Sequence, residues 1–241
     1  MISIVVPTLN ERARITGLLE SLSALPGEKE IVVADGGSTD GTAEAAEASA
    51  FSGRVRIVRC GRGRALQLNA GTRAARGGVL WFVHGDAQVA PSSLTDIEGA
   101  LSEGCAGGFF RLHFYDADDR FMRFVEHTSH TRARRFGLIF GDQALFLRRD
   151  VFDSLGGFAP LALMEDWELA RRLRPLPRKG LIRALETPVG TSARRFIRNG
   201  RLRTLMKIHT IKALYILGVP TETLRTLYEG RRGEKGRDVN P

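Results

Sequence analysis

The sequence predicts an α/β fold: a mostly parallel central sheet with helices on both faces, followed by a C-terminal helical extension. Strand-like and helix-like runs alternate through the first 110 residues at the spacing of βαβ units. The strand-like runs are continuous in Val and Ile, as in strands buried on both faces. Each run then stops on a polar or glycine-rich stretch, and open α/β sheets bind ligands at the carboxyl ends of their strands.

Taken in order, ISIVVPT (2–8) reads as the first strand and ERARITGLLESLSAL (11–25) as its helix. EIVVADG (30–36) is followed by the helical TDGTAEAAEAS (39–49). RVRIVRC (54–60) leads into ALQLNAGTRAARG (65–77), and VLWFVHG (79–85) into PSSLTDIEGALSEG (91–104). AGGFFRLHF (106–114) is the fifth strand. The second half is less regular. A helical FMRFVEHTSHTRARRF (121–136) precedes a strand-like ALFLRR (144–149), then VFDSLGGF (151–158), then a helix in LMEDWELARRLR (163–174). RLRTLMKIHTIKALYILG (201–218) and TETLRTLYEG (221–230) read as two basic amphipathic helices punctuated by Gly218 and Pro220. With no internal repeat or low-complexity linker, one domain over 1–195 is expected, with helices over 196–230 packed on it and a frayed tail over 231–241.

Hydrophobic content of 43% and charged content of 26% fit a soluble globular chain. No apolar stretch approaches the ~20 residues of a membrane span. Met1 runs directly into ISIVVPT without a basic leader, which reads as a first strand rather than a signal peptide. Cys60 and Cys105 stand alone, as suits a reducing cytoplasm, and both read as inert. The net charge of +9 is uneven: residues 171–241 hold 18 Lys/Arg against 5 Asp/Glu, while the first 170 hold 18 against 22. A uniformly basic nucleic-acid coat is thereby disfavoured. The basic end suits a phosphate-bearing substrate, an anionic membrane surface or a solvated helical face.

Asp35 stands where a strand meets GGSTDGT, and it reads either as a ligand contact or as turn chemistry. Asp40 reads as a helix N-cap. GRGRALQLNAG (61–71) opens a helix and could cradle a phosphate there, though it matches neither the P-loop pattern nor GxGxxG. Asp86 ends a buried strand, where an unpaired carboxylate is costly, so it is expected to meet a cation, a donor or water. Hard cations such as Mg²⁺ take one or two carboxylates together with substrate phosphates. His84 reads as a structural or supporting group ahead of a ligand. Glu165-Asp166 heads a helix, which the helix dipole explains, with a general base as the functional alternative. His127 and His130 lack a third ligand nearby and are expected to face solvent.

Together these segments resemble the family 2 glycosyltransferases, which have a GT-A, nucleotide-diphospho-sugar-transferase-like fold. The matching stretches are IVVPTLNE (4–11), EIVVADGGSTDGT (30–42), GRGRALQLNAG (61–71), LWFVHGDA (80–87), ALFLRRDVFDSLGGF (144–158) and LMEDWELARRL (163–173). Arg194-Arg195 and the helices after them look similar to a small soluble subgroup associated with radical-SAM gene neighbourhoods and arsenosugar-type biosynthesis. The resemblance implies that Pro7, Asn10 and Glu11 line the nucleoside pocket and that Asp35, with Gly36, meets the base of a uridine-type donor. Gly61, Arg64, Gln67 and Asn69 would sit beside the nucleotide. Asp86 matches the last Asp of the D-x-D metal motif, where His84 stands in place of the first Asp, so Asp86, with or without His84, would hold Mg²⁺ or Mn²⁺. Asp166 matches the expected general base. Arg194 matches a basic residue closing on the donor diphosphate, and Asp142, Gln143 and Glu165 would lie near the sugar or acceptor.

The implied reaction displaces a nucleoside diphosphate from an anomeric carbon. One base and no second catalytic carboxylate imply single displacement with inversion. The partners implied are a nucleotide-sugar donor and a small-molecule or lipid acceptor, with no nucleic acid. The basic helices could touch membrane lipid, or pack on the body or on a second copy of the chain. Two other classes compete. A nucleotidyltransferase should carry a glycine-rich, Lys-containing loop after strand one, where this chain has PTLNERAR. A non-enzymatic binder of nucleic acid or membrane would explain the basic tail but not the acidic and glycine-rich strand ends.

Overall fold

The structure, a computed structural model, describes residues 1–49, 55–174 and 181–230; the expected frayed tail over 231–241 lies outside them. The first half folds as β1 (Ile2–Thr8), α1 (Arg12–Ala24), β2 (Lys29–Asp35), α2 (Thr42–Ala48), β3 (Val55–Arg59), α3 (Arg64–Ala74), β4 (Val79–Phe82), β5 (Gln88–Val89), α4 (Ser93–Ser102) and β6 (Gly107–Phe114). The second half adds α5 (Arg120–Phe136), β7 (Phe146–Arg148), α6 (Arg149–Ser154), α7 (Glu165–Leu173), β8 (Ile182–Thr191), α8 (Arg194–Asn199), α9 (Arg201–Ile216) and α10 (Thr221–Glu229). These strands form one sheet in the order β3-β2-β1-β4-β7-β6-β8-β5. β7 and β5 run against the rest, so the sheet is mostly parallel.

Side chains alternate across the sheet, and the two helix layers follow from that period. Ile4 and Val6 of β1 pack with Ile15, Leu19 and Leu22 of α1 and Leu94 of α4. Val5 faces the other way, into Leu68 of α3, Phe152 of α6 and Leu169 of α7. Both clusters are buried, which accounts for the unbroken Val/Ile runs.

The chain reverses direction around β1: β2 and β3 lie on one side, β4 on the other. That is a topological switch point, where open sheets form their ligand crevice. β4 is shorter than its apolar run suggests. Its register with β1 ends at Val5–Phe82, whereas β1 continues beside β2 to Thr8–Asp35. Val83 still donates to the Val5 carbonyl, and His84-Gly85-Asp86 then leave the sheet beside Pro7 and Thr8.

β8 has no counterpart in the sequence reading. Its IRALETPVGT carries Glu186 and Pro188 and no apolar run, and it pairs with β6 through a register shift between Phe109 and Arg111. VFDSLGGF opens inside α6 and ends in a turn with Gly156 and Gly157 at positive φ. The C-terminal helices pack through Phe196 against Phe114 and Met122, and through Ile211 and Leu224 against Met164. α8 spans the expected boundary at residue 195. Among the described residues, no helix is long and apolar enough to cross a membrane.

Candidate active site

The ends of β1 and β2 are stitched together by their own polar groups. Asn10, held at φ 56° in the left-handed region that Asn tolerates, accepts from the Thr39 N–H and donates its own N–H to Ser38 Oγ, both at 2.9 Å. Glu11 donates its backbone N–H to Thr42 Oγ1 at 2.9 Å, and Asp40 accepts from the N–H groups of Arg12 and Thr42. Asp40 therefore braces two loops, while the N-cap position expected of it is taken by Gly41. Asp35 is buried, and its carboxylate accepts from the N–H groups of Gly37 and Ser38 and from the Ser38 hydroxyl. These contacts are the turn chemistry named in one of its two sequence readings.

Two residues expected beside the nucleotide also bond inward. Buried Gln67 donates its amide to the carbonyls of Thr8 and Ala34, at 2.6 and 3.1 Å, clamping β1 to β2. Gly36 is needed there, because a Cβ would stand 2.8 Å from Gln67 Cδ. Asn69 donates to the Phe158 carbonyl and accepts from the Phe158 N–H, at 2.8 and 3.0 Å. Gly61 is exposed and, with Gly63, precedes Arg64 at the start of α3. Pro7 is half-buried at the same rim.

Charge gathers where β4 ends. Arg194 donates to Glu11 Oε1 at 2.9 Å and lies 3.4 Å from Asp86 Oδ2, so one guanidinium bridges the two carboxylates. Burial raises the Asp86 pKa and Glu11 adds to it, against Arg194 and Arg64. For Arg64, burial opposes the charge, but Glu165, Asp166, Asp86 and Asp142 outweigh it and raise the pKa. Arg195 is drawn down by burial and then by Arg64 and Arg194. Three arginines thus converge on Asp86. The donor set suits a divalent ion that arrives with a diphosphate, since Asp86 supplies one carboxylate and phosphates can supply the rest. Among the described residues, no three His, Cys, Asp or Glu side chains gather as a preformed metal centre.

The opposite rim is built by the loop before β7 and by the head of α7. The Gly141 N–H donates to Asp166 Oδ2 at 2.7 Å, and Asp166 Oδ1 accepts from the Trp167 N–H. His84 Nε2 is buried against Gly141 with no hydrogen-bond partner, and a Cβ at Gly141 would stand 2.5 Å from it. Burial, then Arg64 and Arg195, lowers the His84 pKa to about 3, so the ring is neutral. Its ring thus lies beside Asp166 on this rim. Glu165 is 2% exposed, and its Oε1 lies 3.6 Å from Arg64. Burial, then the charge of Asp166, raises its pKa to about 7. Asp142 is also raised, chiefly by burial, and its Oδ1 and the Nε2 of wholly buried Gln143 lack partners. Arg64, His84, Phe140, Gly141, Glu165 and Asp166 meet around a cavity of about 20 Å³.

Sequence reasoning missed Arg132, Phe140 and Lys212, which meet beside this rim. They come from α5, the following loop and α9, and no local pattern marks them. The solvent-facing expectation holds for His127 but not for His130, which is buried with its ring against Phe109, centres 6.1 Å apart. His130 shares its helix face with Val125 and Ala133, and helical spacing turns all three inward.

Residues 3–158 match the model of glycosyl transferase family 2. A relative, the uncharacterized protein MT1568 of Mycobacterium tuberculosis (strain CDC 1551 / Oshkosh), is 31% identical over 138 residues, which cover 56% of this chain and 43% of that protein. The chain thus matches less than half of that relative's length. Among solved structures it is similar to S. aureus TarS 1-349 in complex with UDP-GlcNAc (TM-score 0.64, 19% identity, 79% of this chain and 58% of that one). It is also similar to mannosyltransferase PcManGT from Pyrobaculum calidifontis in complex with GDP-Man and Mn²⁺ (0.65, 20%, 95% and 68%). A third is glucosyl-3-phosphoglycerate synthase from Mycobacterium tuberculosis in complex with Mn²⁺, UDP-Glc and phosphoglyceric acid (0.63, 21%, 86% and 77%). These likenesses give the sheet its fold type, GT-A. With the family match covering more than half of its residues, the chain belongs to glycosyl transferase family 2.

Proposed function

We propose that the chain is an inverting glycosyltransferase that moves a sugar from a nucleoside diphosphate, a UDP-sugar by preference, to an acceptor hydroxyl, with Asp166 as general base. The observation that carries this reading is the opposition across the cleft. Arg194 and Arg195 act on Asp86 on one side, the Gly141 N–H orients the Asp166 carboxylate on the other, and Arg64 stands between them, with Glu165, Asp166 and Asp86 all acting on it. Leaving-group charge develops on the diphosphate, and fixed guanidinium groups stabilise such charge without reorganisation. Asp166 takes the proton of the acceptor hydroxyl as that oxygen attacks the anomeric carbon. A divalent ion, Mg²⁺ or Mn²⁺, supplies further electrostatic stabilisation when it binds with the donor, and Asp86 is the residue to hold it. Neutral His84 packs beside Asp166. The stitched β1–β2 rim shapes the nucleoside pocket.

Finer assignments belong to the same reading. The body over 1–195 performs transfer, and the helices over 196–230 complete the acceptor side. Exposed Leu202, Met206, Ile216 and Leu217 beside Arg201, Arg203 and Lys207 suit α9 to peripheral contact with an anionic membrane. Unpaired Cys60 and Cys105 are consistent with a cytoplasmic protein. Arg194-Arg195 remain the basis for placement in the radical-SAM-associated, arsenosugar-type subgroup.

A thermal-shift screen of UDP, GDP, CDP and UDP-sugars with Mn²⁺ or Mg²⁺, beside duplex DNA and anionic liposomes, tests the class. Metal-dependent stabilisation by one nucleoside diphosphate is expected; stabilisation by DNA alone overturns the reading. Tight Mn²⁺ binding by the donor-free protein would count against Asp86 as the single protein ligand.

A further inference from the structure

Arg132, Phe140 and Lys212 meet on the Asp166 side of the cleft. The Arg132 guanidinium carbon and the Lys212 Nζ each lie 4.4 Å from the Phe140 ring centre. Phe140 packs on Trp167 with ring centres 5.4 Å apart, and its chain neighbour Gly141 holds Asp166. Both cations are thereby tied to the loop that orients the base.

From this arrangement we propose that Arg132 and Lys212, set over Phe140, form a subsite for an anionic group, phosphate or carboxylate, carried by the acceptor; the assignment to an acceptor rests on the glycosyltransferase reading above. Among the described residues neither cation closes an ion pair, although Asp142 and Asp166 act on both. Cations present only to neutralise Asp142 would close on it, yet Asp142 Oδ1 is buried without a hydrogen-bond partner. Each cation instead rests against the same Phe140 ring, 4.4 Å from its centre. Burial, then the charge of Arg132, draws the Lys212 ammonium down to about 8, and burial lowers Arg132. Burial penalises both cations by more than Asp142 and Asp166 return, since both pKa values fall, and a bound anion relieves that cost. His209, one turn before Lys212, is lowered by burial and then by the same two cations. The donor side has its own cations, because Arg194 faces Glu11 and Asp86. Arg132 and Lys212 face Asp142 and Asp166, so theirs is a second, separate anion position.

Calorimetric titration of the full chain with inorganic phosphate tests the subsite. Wild type should bind phosphate, Arg132→Met/Lys212→Met should weaken it at least tenfold, and Arg203→Met, at an exposed position of α9, should keep it. Lys212→Gln alone should weaken binding at unchanged melting temperature, and Lys212→Arg should restore it. Absence of phosphate binding, or an equal loss in Arg203→Met, overturns the proposal. Two further arms separate the sources of the anion. Glycerol 3-phosphate following the same variant pattern indicates a soluble acceptor. Phosphatidic acid vesicles, compared with phosphatidylcholine vesicles, following it instead indicate a lipid headgroup. UDP binding with Mn²⁺, measured in parallel, is independent: its absence sinks the glycosyltransferase reading, while the phosphate titration still decides the anion site.

Discussion

At the ends of β1 and β2, Asn10, Asp35, Asp40 and Gln67 bond one another's loops and backbone. Across the cleft, His84 Nε2, Asp142 Oδ1, Gln143 Nε2 and Glu165 Oε1 are buried without a hydrogen-bond partner. Apart from the unpartnered Thr8 Oγ1, the first rim is a finished framework that presents a shape. The second carries polar groups that each cost about 1–3 kcal/mol while unsatisfied. Folding alone does not favour that second arrangement, and satisfied neighbours such as Asn69 show that this chain can pair its polar groups. His84, Asp142, Gln143 and Glu165 thus bring unpartnered atoms to the place where substrate is proposed to react, while Thr8 Oγ1 is left unpartnered at the end of β1.

The largest effect should come from the second rim. Asp166→Asn preserves an oxygen for the Gly141 N–H but removes the proton acceptor. Transfer should fall by about 10²–10⁴, with nucleotide binding and melting temperature retained. Release of nucleoside diphosphate under single-turnover conditions measures it, and normal turnover would discard the base assignment.

Next in size is a pH effect on stability at Glu165. Its carboxyl pKa is raised from 4.5 to about 7, by burial first and by Asp166 second. Between those values the folded chain holds a proton that the unfolded chain has lost. Stability therefore falls as pH rises through that window. The loss attributable to this group is on the order of 2–3 kcal/mol. Urea unfolding at pH 5 and pH 8 should show that loss in wild type and not in Glu165→Gln. Equal slopes would mean that burial beside Asp166 does not govern the group.

Which parts were legible in sequence follows the same division. β1, β2 and β4 announce themselves because burial on both faces requires apolar runs, and Asp86 is conspicuous because it follows one of them. The end of β4 at Phe82 is not legible, since Val83 is as apolar as the residues before it. β8 is hidden because it exists only by pairing with β6 and β5. Asp35 could be read as ligand or turn because its partners, Gly37 and Ser38, are local. Gln67 and Asn69 could not, because Thr8 and Phe158 stand 59 and 89 residues away in the chain. Phe140 joins Arg132 to Lys212 only after α9 has packed, which no motif records.

The smallest effects should lie on the framework, and they sharpen its contrast with the reactive rim. Asn69→Ala strips both bonds from the Phe158 peptide, at a cost of about 1–2 kcal/mol. Asn10→Ala loses the bond to Thr39 and places alanine at a φ of 56°, where a Cβ without a local polar partner is disfavoured; the cost is about 1 kcal/mol. If these residues are framework, both changes lower the urea midpoint while nucleotide affinity changes less than threefold. Should either variant keep its midpoint yet lose nucleotide binding, that side chain contacts the donor directly. The first rim would then be a binding surface in its own right, and the division between a framework rim and a reactive rim would have to be redrawn at that residue.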